Sequence, residues 1–137
     1  MISQEMHIGL CHQTTHRITS EMIERFAEAT GDFNPLHLDE EFARGTLFGR
    51  RVAHGMLLAG ILSGVLGTQF PGVGTIYVSQ TLRFRRPVFI GDELTLTLRV
   101  VERMEGRKRL RLETIFVNQD GETVLTGEAV VIPPSAP

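Results

Sequence analysis

From Gly55 to Gly67 the chain reads GMLLAGILSGVLG, without one charged side chain. Met, Leu, Ala, Ile and Val fall on nearly every side of such a segment, and a helix apolar all round must be covered all round. The run is shorter than the roughly 20 residues that cross a bilayer. Thr68-Gln69-Phe70-Pro71-Gly72 follows it with turn chemistry, so a helix buried inside the protein is the expected form. The rest of the chain must supply its cover. At 137 residues one domain, 1–137, is expected, able to bury on the order of 68% of its unfolded surface.

The cover is expected from the second half. Up to about Phe70 the pattern is mostly helical; from Thr75 onward it alternates with period two. Ile76, Val78, Leu82 and Phe84 alternate with Tyr77, Ser79, Thr81 and Arg83. Leu94 to Val100, Leu110 to Phe116 and Leu125 to Val131 give three more strands. Asp120-Gly121 signals a hairpin, and short links at Gly106 and at Gly91-Asp92 favour antiparallel neighbours. Gly60, Gly64 and Gly67 lower helix propensity by about 1 kcal/mol each, which predicts close approach of a neighbouring element. The fold class expected is α+β, a curved antiparallel sheet wrapped around a long central apolar helix, the hotdog fold; an ordinary α+β sandwich would account for the same alternation.

In the first half, Thr19 caps a helix over Ser20–Ala29 that turns out at Gly31. A short helix follows over Asp39–Arg44, and Met6–Leu10 alternates as an early strand would. Pro133 to Pro137 reads as a mobile tail.

Fourteen basic against sixteen acidic residues leave a formal charge of -2, which argues against a nucleic-acid or anionic-membrane partner. The lone Cys11 cannot form an internal disulfide, so a reducing compartment is the simpler reading. Met1 to Leu10 carries Glu5 and His7 and no apolar signal core. A cytoplasmic location is expected.

The densest chemistry lies in Gly31-Asp32-Phe33-Asn34-Pro35-Leu36-His37. Pro35 restricts Asn34 to extended conformations, which predicts a shaped loop rather than more helix. A loop can fold Asp32 and His37 back to one point, where a carboxylate and an imidazole can hold a water between two proton-transfer groups. The same residues also suit a plain Asx turn with His37 packed beside it. Gly55 opens the apolar helix, whose first amides lack internal partners and carry the positive end of its dipole. They could stabilise a carbonyl oxygen gaining charge, or the glycine could simply permit tight packing. His54 reads as structural. Ser63, close to the same helix face, either bonds the preceding turn or faces a ligand. Cys11, His12 and His16 look faintly like metal ligands but lack a fourth partner at zinc-like spacing. Arg50, Arg51, Arg83, Arg85 and Arg86 are expected to be mostly solvated, although arginine suits phosphates.

The run FAEATGDFNPLHLDEEFA, with HGMLLAGILSGVLG and RPVFIGDELT after it, resembles the MaoC-like dehydratases of the hotdog superfamily, specifically the short (R)-specific enoyl-CoA hydratases. The resemblance spans roughly Ile18 to Pro133. It implies reversible hydration of a trans-2-enoyl-CoA to an (R)-3-hydroxyacyl-CoA, with no metal or other cofactor. Asp32 and His37 match the catalytic pair and Gly55 the backbone donor to the thioester oxygen. Ser63 matches a position near the catalytic groups, and Leu66 and Val131 match positions lining the acyl pocket in some members, which suggests short to medium chains. The resemblance further implies a homodimer with sheets joined edge to edge. A hotdog thioesterase and a non-catalytic acyl-binding subunit of a dehydratase complex are the rival readings.

Overall fold

The computed structural model describes residues 1–135. Strand β1 (Cys11–Arg17) leads into helix α1 (Ser20–Thr30), the one-turn helices α2 (Pro35–Leu38) and α3 (Glu40–Arg44), and the apolar helix α4 (Gly55–Thr68). The sheet follows with β2 (Ile76–Gln80), β3 (Arg83–Phe84), β4 (Glu93–Met104), β5 (Arg109–Val117) and β6 (Thr123–Ile132). All pairings are antiparallel, in the order β1-β4-β5-β6-β2, with β3 also on β6. The sheet is open, with β1 and β2 as its edges, and α4 packs on it in the hotdog arrangement.

Alternation builds the inner face, strict from Leu94 to Val100 and along β5, and broken in β6 where Val124 and Leu125 are both buried. Leu94, Leu96, Leu98 and Val100 of β4 are fully buried, as are Leu110, Leu112 and Phe116 of β5 and Leu125, Ala129 and Val131 of β6. They close on Leu57, Leu58, Leu62, Val65 and Leu66 of α4 in one cluster. Each buried Val, Leu or Phe side chain among them contributes about 1.5–3 kcal/mol. The hairpin at Asp120-Gly121 forms as expected, with Gly121 at φ 77° and its amide donating to the Asn118 carbonyl over 3.1 Å.

Helix α1 is held at both ends. The Thr19 hydroxyl accepts from the Met22 amide, and Gly31, at φ 78°, donates to the Ala27 carbonyl. That left-handed glycine re-aims the chain toward Asp32. The segment expected as a loop then tightens into α2, because the Asn34 side chain caps the Leu36 amide and Pro35 occupies the first helical position. His37 therefore sits on a single helical turn. Asp39 caps α3 by accepting from the Glu41 and Phe42 amides.

Several expectations need correcting. Met6–Leu10 is not a strand: Gly9 at φ 93° interrupts it and the Leu10 amide turns back to the His7 carbonyl, so β1 starts at Cys11. The link through Gly91-Asp92 does not join neighbouring strands, since β3 lies on β6 while β4 lies between β1 and β5. In β2 the faces are exchanged: Tyr77 packs on the core while Ile76 and Val78 are exposed. Pairing accounts for it: Tyr77 lies opposite the buried Val131 and Ile76 opposite Ile132, while Val78 is the extra residue at the register shift that follows. The strand then breaks at Thr81, whose amide and hydroxyl both bond Glu128. Gly127 permits this crossing, for a Cβ there would collide with the Thr81 carbonyl.

Helix α4 is covered on one side only. Gly60 and Gly64 are exposed, and no neighbouring atom lies within 4 Å of where a Cβ would stand on Gly60, Gly64 or Gly67. The sheet covers the leucine face, and no element among the described residues covers the glycine face. Of the expected tail, Pro133 is buried and Pro134 lies beside Gly74; Ala136 and Pro137 lie outside the described residues.

Candidate active site

The α1–α2 turn and the start of α4 meet at one point. A carboxylate oxygen of Asp32 and one ring nitrogen each of His37 and His54 lie within 4.8 Å of one another. Two groups that each bond a water at about 2.8 Å can stand up to about 5.6 Å apart, so one water can touch both Asp32 and His37. The Asp32 carboxylate accepts from the Asn34 amide, and its own amide donates to the Thr30 hydroxyl. The His37 ring is fixed by Nδ1–H donating to the Val52 carbonyl over 2.7 Å. That bond commits Nδ1 and leaves Nε2 as the nitrogen free to exchange a proton. Arg51 steadies the same turn, its Nε–H donating to the His37 carbonyl over 2.7 Å and a terminal nitrogen to Ser20.

These groups open onto a cavity of about 440 Å³ lined by Asp32, His37, Gly55 and a mainly apolar wall that includes Leu36, Phe48, Leu58, Phe84, Val88 and Val124. Its volume falls within the usual range for small-molecule sites. Arg85 and Arg86 also border it. The helix start lies on the wall: His54 is the residue before α4, and its side chain makes no capping bond. Among the first amides of the helix, that of Leu57 bonds the His54 carbonyl over 3.1 Å, and those of Gly55 and Met56 have no acceptor within the helix. A Cβ on Gly55 would stand 2.5 Å from the Phe84 ring, so the glycine both bares the amide and admits the aromatic wall.

Asp32, His37 and His54 are also the ligand-type residues that the fold gathers among those described. His54 Nε2–H donates to the Asp32 carbonyl over 3.1 Å, which commits that nitrogen. Asp32 and His37 have the chemistry of an acid–base pair beside the start of α4. By contrast, β1 spreads Cys11, His12 and His16 along an extended strand; the His12 ring stacks on Phe70 and His16 bonds Thr14.

The family model described as "MaoC like domain" matches residues 5–121. The chain belongs to the MaoC-like domain family. A 3-hydroxybutyryl-CoA dehydratase of Methylorubrum extorquens is 47% identical over 128 residues, covering 93% of this chain and 81% of that protein. An (R)-specific enoyl-CoA hydratase of Aeromonas caviae is 44% identical over 131 residues, covering 96% of this chain and 98% of its own. The solved structure of the (R)-hydratase from A. caviae involved in PHA biosynthesis matches with a TM-score of 0.92 at 43% identity, over 96% of this chain and 100% of that one.

Within this MaoC-like chain the candidate residues divide. Asp32, His37 and Gly55 line one cavity. Ser63 does not join them: it is exposed on the open face of α4. Leu66 and Val131 lie in the core, 1% and 0% exposed, and are absent from the cavity wall. Sequence reasoning missed Phe84 and Val124 as wall residues, and it missed that His54 touches the site. The adjacency of His54 to Gly55 was the available signal.

Proposed function

We propose that this protein hydrates trans-2-enoyl-CoA thioesters reversibly to (R)-3-hydroxyacyl-CoA, with short to medium acyl chains. The observation that carries the reading is the 4.8 Å grouping of Asp32 and His37 beside the uncapped start of α4. The identity to (R)-specific enoyl-CoA hydratase and 3-hydroxybutyryl-CoA dehydratase over most of the chain supports it.

The chemistry follows from the groups present. A water held between Asp32 and His37 Nε2 attacks C3 of the enoyl thioester as the pair draws off one of its protons. Electron density moves from the C2–C3 double bond onto the thioester oxygen. There the Gly55 amide and the dipole of α4 stabilise the enolate-like charge, as an oxyanion hole does. The pair then returns the proton to C2. An O–C3 and an H–C2 bond form while one O–H bond and the π bond break. Coupled groups of this kind titrate as a unit; Asp32 is the preferred base and His37 the relay. These residues perform every step, so the proposal includes no metal or organic cofactor.

The proposal extends to a cytoplasmic homodimer without nucleic-acid or membrane partners. No helix among the described residues is long and apolar enough to cross a membrane. The exposed Ile76 and Val78 on edge strand β2 favour a second copy as the cover for that edge, since bare apolar edges invite pairing.

The test is the loss of enoyl absorbance on adding trans-2-enoyl-CoAs of increasing length, with chiral analysis of the product. Asp32→Asn and His37→Ala should stay folded and lose at least about 10²-fold in turnover. Near-wild-type rates in both would remove the assignment. Release of free thiol with enoyl absorbance unchanged would point to thioester hydrolysis instead.

A further inference from the structure

We infer that His54 is a positioning residue for the Asp32–His37 pair, tying the backbone of one to the ring of the other. The inference rests on the hydratase reading above. His54 is 2% exposed. Its Nε2–H bonds the carbonyl of Asp32, 22 positions earlier, and its ring centroid lies 3.9 Å from that of His37, tilted by 33°. The Phe26 ring packs on it at 4.7 Å. One side chain thus touches both halves of the proton-transfer pair and directly precedes the Gly55 amide.

Its other nitrogen makes the case sharper. His54 Nδ1 is buried with no hydrogen-bond partner among the described residues. A buried polar atom left unpaired is destabilising, and leucine would fill similar space without one. Stability alone is thus a poor reason for an imidazole here. What the ring supplies that leucine cannot is the Nε2–H directed at the Asp32 carbonyl and a flat face against His37. Burial also holds the ring below its ordinary pKa, with His37 nearby adding to the effect and the bond to Asp32 opposing it. The uncharged form suits this position, because a second ring proton would find no acceptor at Nδ1.

The experiment compares His54→Leu with His54→Gln, whose amide nitrogen can still donate to the Asp32 carbonyl. Expected for His54→Leu is a kcat lower by about 10- to 10²-fold with KM within about threefold, since misplacing a reacting group by about 1 Å can have that effect. His54→Gln should recover most of the loss. The urea midpoint of His54→Leu should match or exceed wild type. Wild-type kcat in His54→Leu, or equal losses in both variants that follow their folded fractions, would overturn the inference. Amide exchange over residues 31–37 supplies a readout independent of activity. It should quicken about 2- to 10-fold in His54→Leu, the scale of one lost hydrogen bond, and stay near wild type in His54→Gln. If the wild type hydrates no enoyl-CoA, the functional reading fails by itself; unchanged exchange in His54→Leu would still refute the positioning role.

Discussion

At Gly55 a missing side chain does two jobs, baring an amide and making room for the Phe84 ring. Phe84 is 52% exposed, so its ring can swing aside from an added methyl without unfolding the protein. Gly55→Ala should therefore raise KM for enoyl-CoA by on the order of 10-fold, the equivalent of 1.4 kcal/mol, while leaving thermal stability within a few degrees. A KM unchanged from wild type would show that Phe84 is no part of the substrate wall. The convergence of Asp32 and His37 was legible, because a carboxylate and an imidazole flanking an Asn-Pro step can meet only if the chain leaves the helix. His54 was not. Its place beside Gly55 pointed to the site but not to its role, since its partner is a backbone carbonyl 22 positions back and no residue-type pattern encodes that bond. Ser63 entered through the family resemblance, its helix face alone leaving two fates open, and it stands on the open face of α4.

At the scale of elements, period-two alternation located β4, β5 and β6 closely, because β4 and β5 bury every second residue as half-solvated antiparallel strands do, and β6 departs from that only where Val124 and Leu125 are both buried. Alternation misassigned the faces of β2, because its register on β6 sets Tyr77 rather than Ile76 opposite the buried Val131. The apolar run of α4 was recognised, but its cover was expected wholly from this chain. The leucine face found that cover; the glycine face did not. Sedimentation at micromolar concentration should accordingly give twice the 15.3 kDa chain mass, and Val78→Asp on β2 should shift it toward the monomer. A wild-type monomer under those conditions would contradict a self-associating edge.

For the whole molecule, two half-buried or buried imidazoles set an acid limit. Burial lowers the pKa of both His16 and His54 below the ordinary 6.5. Between the lowered folded values and 6.5 the unfolded chain binds more protons than the folded one, so stability falls as pH drops through that window and rises as pH increases through it. The urea midpoint should be lower near pH 5.5 than near pH 7.5, and His54→Leu should show a shallower dependence. An identical slope in the variant would exclude His54 as a contributor. Fold class and the location of the acid–base pair could thus be read from the linear chain, whereas the cavity wall and the loop tether, both made by contacts across long separations, could not. That separation has a consequence. Asp32, His37 and Gly55 come from the stretch between β1 and β2, which also gives Leu36, Phe48 and Leu58 to the wall, while Phe84 and Val124 reach the cavity from the later strands. Substrate preference can therefore drift through changes in one part of the chain while the reacting groups in the other remain as they are, so a lineage built on this plan can diversify its diet without reinventing its chemistry.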